Sequence, residues 1–204
     1  MKKRFQCFGL AGAIAASVSC GDVVRQGRSP VMLVIDSLQG APGAHPTNFS
    51  GNLLSDVMTN VTTGGTCTQA APCPTFFNDE GQVILHSVPK DLSIAPTSNN
   101  AITINRVHVE YVRADGHNVP GVDVPYPFDG AVTGTVPPTA SVTLSFMLVR
   151  NVAKEESPLV QLVTNTNIVI TTIANVTFYG KDIVGNDVTV SGRIQIDFAN
   201  FGDS

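Results

Sequence analysis

The chain has 204 residues, of which 43% are hydrophobic and only 14% are charged, with a formal net charge of −4. Soluble domains usually carry about 25% charged residues, and here Thr, Ser, Asn, Gly and Pro take their place. The acidic balance and the lack of a basic run argue against a nucleic-acid-binding protein. The composition predicts a single extracytoplasmic all-β domain with many turns.

Residues 1–19 have the pattern of a signal peptide. Lys2, Lys3 and Arg4 make a positive start, and residues 5–18 form an apolar segment. This segment is shorter than the roughly 20 residues that span a bilayer as a helix. The predicted organisation is a signal peptide over residues 1–19, a tether over 20–30 and a β-sandwich domain over 31–204. Without residues 1–19 the chain keeps 9 basic and 16 acidic residues, a formal charge of −7.

The apolar segment ends in Ser17-Val18-Ser19-Cys20-Gly21. This stretch resembles the lipobox of bacterial lipoproteins, in which the Cys is acylated and becomes the new N-terminus. The resemblance implies lipidation of Cys20 and a membrane anchor through an N-terminal lipid. Ser17 stands where the family usually has an aliphatic residue, and the two serines also suit ordinary signal peptidase, so a secreted or periplasmic protein is the alternative. The residue after Cys20 is Gly21, whereas an Asp at this position would favour retention in the inner membrane. The sequence therefore predicts the outer membrane.

Cys67 and Cys73 frame a small loop that is flanked by glycines and a proline. In an oxidising compartment this spacing predicts a disulfide between them. A zinc site would need two further ligands, and the nearest histidine is His86. The C-x-x-C spacing of redox motifs is absent, so a catalytic thiol pair is not expected.

Apolar residues at a period of two predict the strands. The predicted strands are residues 31–35, 52–61, 80–88, 101–113, 130–136, 141–150 and both arms of a hairpin over 173–204. Segment 52–61 also fits helical spacing, and the three prolines within 120–128 restrict that segment to a sheet edge or a crossing. The apolar parity changes between Ile104 and Val107, which predicts a β-bulge or a strand that switches sheets. Residues 153–158 are predicted to form an exposed connection and 159–163 a helical turn.

The hairpin is the most regular pattern in the chain. Val188, Val190, Gly192 and Ile194 alternate with polar residues in its second arm. In the turn, Gly185 and Asn186 are predicted to supply the positive φ of a short hairpin loop.

Seven or eight strands without a long helix predict an antiparallel two-sheet sandwich of the immunoglobulin-like or fibronectin-III-like kind. The chain has no Trp and no Cys pair with inter-sheet spacing. The class therefore rests on strand number and pattern, and a small barrel is the alternative.

Two long stretches carry a family resemblance: HVEYVRADGHNVPGVDVPYPFDGAVTG (108–134) and ITTIANVTFYGKDIVGNDVTVSGRIQIDFANFGD (170–203). They resemble uncharacterised bacterial lipoproteins, and the GNDVT turn near the end is similar to that of bacterial immunoglobulin-like repeats. The resemblance implies an envelope location and a sandwich fold. It brings no known activity and no catalytic residues.

The sequence has no pattern that predicts catalysis. No G-x-S-x-G elbow occurs. His108 and Glu110 share a strand face, but a solvated surface explains that pair more simply than acid–base chemistry does. Asp182, Asn186 and Asp187 cluster at the hairpin turn as weak Ca²⁺ candidates, although Asx residues are common in turns for their own hydrogen bonds.

These patterns predict a non-enzymatic cell-envelope lipoprotein without a cofactor. Its sandwich would act as a binding or structural module for an envelope protein or a glycan. The alternative is a Ca²⁺-stabilised adhesive or glycan-binding module.

Overall fold

A computed structural model describes residues 27–93 and 95–201, so the predicted signal peptide and Cys20 lie outside the described residues. The described chain is mostly β, which confirms the all-β prediction. It contains one short α-helix, α1 (Asn151–Glu155), and two 3₁₀ turns, Ser98–Asn100 and Leu159–Val163. The strands are β1 (Val31–Ala41), β2 (Asn52–Asp56), β3 (Thr59–Val61), β4 (Cys73–Thr75), β5 (Asp79–Pro89), β6 (Ile102–Val112), β7 (Phe128–Gly130), β8 (Gly134–Val136), β9 (Val142–Val149), β10 (Ile170–Asp182) and β11 (Asp187–Ala199).

Seven of these strands have five residues or more, and the other four have three each. The long strands form two sheets. One has the order β1-β5-β9, and the other has the order β2-β11-β10-β6-β7, with β8 also paired to β6. The short strands β3 and β4 form a separate ribbon.

The prediction of a purely antiparallel fold is wrong at one place, because β2 pairs with β11 in parallel. The loop after β1 comes back to the last residues of β1, where Gly40 and Ser50 exchange two backbone hydrogen bonds of 2.9 Å. The chain then continues in the direction of β1, but along the other sheet. Since β11 runs in that same direction, the two strands meet as parallel neighbours.

The C-terminal hairpin has the predicted alternation. Ala174, Val176 and Phe178 of β10 are fully buried, and β10 pairs with β11 over its whole length without a register shift. The predicted bulge is also present, since the β10–β6 register shifts between Tyr179 and Gly180, opposite Asn105. In the turn, Gly185 has a φ of 88°.

The two large sheets face each other across the core. The Phe146 ring of β9 meets the Phe178 ring of β10 edge-on, with centroids 5.1 Å apart. The Tyr111 hydroxyl of β6 donates to the Leu148 carbonyl of β9 over 2.7 Å, which ties the sheets together inside the core. Burial raises the pKa of Tyr111 far above its ordinary value, so its phenol stays a neutral donor.

Two expectations on burial are wrong. The alternation within residues 141–150 predicts that Met147 and Val149 both face outward, but Val149 is fully buried. The β5–β9 register shifts here, because Glu80 pairs with Met147 while Asp79 pairs with Val149, so the alternation breaks at the strand end. The predicted exposed connection after β9 instead begins as helix α1, whose Lys154 is buried against the sandwich.

The loops and turns lie at the two ends of the sandwich, which we call the entry end and the far end. The entry end carries residues 27–30, the loop after β5 and the hairpin turn 183–186. The far end carries the loops after β1 and β6, helix α1 and the β3–β4 ribbon. Within residues 27–93 and 95–201, no helix is long and apolar enough to span a membrane.

Candidate functional site

The predicted disulfide is confirmed at the far end of the molecule. Cys67 and Cys73 are bonded, with their Cα atoms 5.4 Å apart. Cys73 begins β4 and pairs with Val61 of β3, so the bond closes the loop that joins the two strands of the ribbon. A disulfide in a small surface loop is typical of proteins that fold in an oxidising compartment.

A buried ion pair, which the sequence did not predict, also lies at the far end. The Lys154 ammonium is 2.8 Å from Asp79 Oδ1, and the side chains are 1% and 0% exposed. Lys154 also donates to the Asp56 carbonyl over 2.8 Å. Asp79 further accepts hydrogen bonds from the Ser55 hydroxyl at 2.6 Å and from the Gly43 backbone at 2.8 Å. We call these four groups, Ser55, Asp79, Lys154 and the Gly43 amide, the far-end cluster.

The electrostatics of this cluster fit a structural role. Burial raises the pKa of Asp79, and the adjoining Lys154 charge together with the hydrogen bonds from Ser55 and Gly43 opposes that rise. Both Asp79 oxygens already have donors, and neither partner is open to solvent. The pair therefore ties helix α1 to β2 and β5, and it offers no site where a substrate could reach the charges.

An open groove lies on the outer face of the six-stranded sheet, beside the bulge at Asn105. It has a volume of about 320 Å³ and is lined among others by Arg106, Tyr179, Lys181 and Asp187. The Arg106 guanidinium lies 3.9 Å from the Tyr179 ring centroid, and the Lys181 ammonium lies 2.5 Å from Asp187 Oδ1. We call this feature the sheet groove. It offers a flat amphipathic stack beside charges of both signs.

His86 and His108 each pair with an aspartate. The acidic partner of His108 is Asp129 of β7, at 3.3 Å, and not Glu110, which shares its strand face in the sequence pattern. His86 lies 2.8 Å from Asp36, and the Ser141 hydroxyl donates to that same carboxylate over 3.2 Å. In a nucleophilic triad the imidazole stands between the hydroxyl and the acid. Here the carboxylate stands between them, so the imidazole cannot take the hydroxyl proton.

The weak Ca²⁺ candidates lie together at the hairpin turn, but their oxygens have protein partners. Asp182 Oδ1 accepts from the backbone amides of Val184 and Asn186, and Oδ2 accepts from the Asn186 side chain at 2.8 Å. Asp187 pairs with Lys181. The part of the chain that is described contains no group of three acidic, His or Cys residues placed to hold a metal ion. The prediction of a positive φ for Asn186 is wrong, because this residue closes the turn through its side chain instead.

Replacing Asp182 with Ala should destabilise the protein by about 1–3 kcal/mol at pH 7, since several amides in the turn lose their acceptor. Burial acts to raise the pKa of Asp182, but hydrogen bonds from Asn186, Ser29 and Val184 outweigh it, so the pKa lies below its ordinary value. A carboxylate with a lowered pKa stabilises the folded protein fully above its unfolded pKa of about 3.9. This stabilisation is lost as pH falls through the lower pKa of the folded state. Urea unfolding of the wild type and the D182A variant should be measured from pH 7 to pH 2.5. The difference between their free energies of unfolding should shrink below about pH 4. A difference that stays constant over this range would show that the charge is not involved.

Comparisons with known proteins give no relative. No protein-family model, no curated protein and no solved structure matches the chain.

Proposed function

We propose that this protein is a non-enzymatic cell-envelope lipoprotein, anchored through a lipid on Cys20, whose sandwich serves as a binding module. The observation that carries the proposal is the position of Cys20. It follows a basic start and an apolar segment, and it precedes a folded β-domain whose described part begins within ten residues. The formed Cys67–Cys73 disulfide supports an oxidising envelope. Gly21 after the Cys favours the outer membrane.

The sandwich is proposed to be immunoglobulin-like, and the strand order supports this. Immunoglobulin constant-type domains place strands A, B, E and D in one sheet and C, F and G in the other, and no described strand of the smaller sheet takes the D position. In chain order, β1, β5 and β9 correspond to A, B and E, and β6, β10 and β11 correspond to C, F and G. In this comparison the first strand is divided between the sheets. Its first part, β1, pairs with the B strand, and its second part, β2, lies in the other sheet and pairs with the G strand. Domains of this architecture commonly serve as recognition modules.

The lipid anchor predicts a clear effect of Cys20→Ser. The wild-type protein should incorporate labelled palmitate and enter the detergent phase on Triton X-114 phase separation. The C20S variant should incorporate none and stay in the aqueous phase, because acyl chains supply the membrane affinity at about 0.8 kcal/mol per buried methylene. Cys7→Ser is the matched control, since Cys7 lies in the segment that is removed, and it should behave like the wild type. Equal labelling of C20S and wild type, or no labelling of either, would overturn the anchor.

A glycan is the ligand class that the sheet groove favours among the alternatives. The Arg106–Tyr179 stack gives a flat amphipathic surface, and Lys181 and Asp187 beside it can exchange hydrogen bonds with hydroxyl groups. On an array of bacterial envelope glycans, Tyr179→Ala should lose at least tenfold in the affinity of any bound glycan. Thr171→Ala, on the same sheet but outside the groove, is the control and should bind like the wild type. Binding that is unchanged by Y179A would place the ligand elsewhere.

A further inference from the structure

We infer that the entry end of the sandwich rests on the lipid bilayer, with an apolar tip that enters the boundary between headgroups and acyl chains. The tip consists of Ile183 and Val184 in the hairpin turn and Leu92 in the loop after β5. The inference rests on the proposed lipid anchor for its orientation, and it adds a second, protein-borne contact with the membrane.

The tip residues are among the most exposed aliphatic side chains in the described chain. Ile183 is 60% exposed, Val184 is 74% exposed and Leu92 is 85% exposed. The side chains of these two adjacent branched aliphatic residues make none of the hydrogen bonds of the turn, which is closed by Asp182, Gly185 and Asn186 together with backbone amides. Because that turn is held by hydrogen bonds, the two side chains are presented at a fixed position beyond the end of the sandwich.

The tip lies where the chain enters the domain. The Ser29 hydroxyl bonds to Asp182, directly before Ile183 in the sequence. The Pro30 carbonyl accepts from the Lys90 amide over 2.8 Å, two residues before Leu92. The entry segment therefore contacts the bases of both loops that carry the tip.

The short connection to Cys20 decides which end faces the bilayer. Gly27 is seven residues after Cys20, and a fully extended chain spans at most about 3.6 Å per residue, or about 25 Å in all. A lipid on Cys20 thus keeps the entry end within about 25 Å of the membrane surface. The thirteen residues of β11 run from the entry end to the far end, about 40 Å at strand rise. Seven residues cannot span that length, so the far end cannot rest end-on on the bilayer to which Cys20 is anchored.

A lipid surface fits this tip better than a protein groove does. Arg28, which precedes Ser29, and Lys90, two residues before Leu92, are both exposed and carry the charge that attracts anionic headgroups. Exposed aliphatic side chains next to basic residues are the usual composition of protein segments that insert shallowly at an interface. The far end also exposes two aliphatic side chains, Val119 and Val122. They serve as a control, because they are apolar and exposed like the tip but lie at the opposite end of the sandwich.

The chain contains no Trp, so a single introduced indole reports its own environment. We would reconstitute full-length Val184→Trp and Val122→Trp proteins into vesicles of phosphatidylethanolamine and phosphatidylglycerol with brominated acyl chains. The fluorescence of V184W should be quenched by more than half relative to vesicles without bromine, and that of V122W by less than a tenth. Leu92→Trp is a second reporter and should behave like V184W. Quenching that is absent in both V184W and L92W, or equal to that in V122W, would overturn the inference.

Mass spectrometry of the N-terminal peptide from the same samples separates this inference from the proposed function. An acylated Cys20 with unquenched V184W and L92W would leave the anchor in place and overturn the tip contact alone. An unmodified Cys20 would overturn the anchor. Quenching of V184W by added vesicles would in that case still support the tip contact, and a lack of quenching would overturn it.

Discussion

Replacing Lys154 with Met should lower the free energy of unfolding by about 3–5 kcal/mol, because it leaves a buried carboxylate without its counter-charge. The Lys154 ammonium is the only cation in the far-end cluster, and it also satisfies the Asp56 carbonyl. Met keeps the length and apolar surface of the side chain, so the loss reports on charge and hydrogen bonding more than on packing. Urea unfolding at pH 7, followed by circular dichroism, measures the change.

Two further variants make this test specific. Lys181→Met removes the cation of an exposed pair with Asp187 and should cost less than about 1 kcal/mol. The double variant Asp79→Leu with Lys154→Met should recover part of the loss, because it leaves no unpaired buried charge, although Ser55, the Gly43 amide and the Asp56 carbonyl still lose their partners. If K154M cost no more than K181M, the buried pair would not hold helix α1 to the sandwich.

Replacing Phe178 with Ala should also cost about 3–5 kcal/mol, the range found when a buried aromatic residue is deleted from a core. The Phe178 ring is fully buried between the sheets and meets Phe146 edge-on. Its removal leaves a cavity at the contact between β9 and β10, and it also removes the aromatic pair, which contributes about 0.5–1.5 kcal/mol beyond its area. Chemical denaturation at pH 7 gives the value.

Thr177→Ala is the matched control for Phe178→Ala. Thr177 is the preceding residue on the same strand, and its side chain bonds to Ser191 on the outer face. Removing that exposed hydrogen bond should cost less than about 1 kcal/mol. The difference between the two variants measures how strongly β10 separates a core face from an outer face. Similar losses from both would contradict the face assignment of the hairpin.

The sequence predicted those parts of the fold whose signal is local. The alternation in β10 and β11 is visible in the residues themselves, and the parity change after Ile104 predicted the bulge at Asn105. The disulfide was predictable because the spacing of Cys67 and Cys73 and the flanking turn residues lie within ten positions. In each case the pattern and the structure involve neighbours in the chain or directly opposed strands.

The sequence did not predict the features that depend on distant partners. The parallel pairing of β2 with β11 joins residues about 143 positions apart, and nothing within Asn52–Asp56 marks that partner. Lys154 stands before two glutamates, a pattern typical of solvent, yet its partner Asp79 is 75 residues away in a different element. Burial of Val149 likewise depends on a register shift against β5.

The candidate sites also divide into features that the local sequence predicts and features that depend on distant residues. The sequence identifies Asp182 and Asp187 at the hairpin turn, while the structure shows that the Asp182 oxygens accept hydrogen bonds within the turn and that Asp187 pairs with Lys181. His108 was singled out from its strand, but its partner Asp129 comes from a neighbouring strand. The sheet groove escaped prediction because it combines a bulge on β6 with side chains from β10 and β11.

Mass spectrometry of the mature N-terminal peptide, from protein purified out of native membranes, tests the central proposal most directly. The account predicts a peptide that begins at Cys20 and carries a diacylglycerol on its sulfur. A peptide that begins at Cys20 or at a neighbouring residue without any acyl group would contradict it and would make this a secreted or periplasmic sandwich.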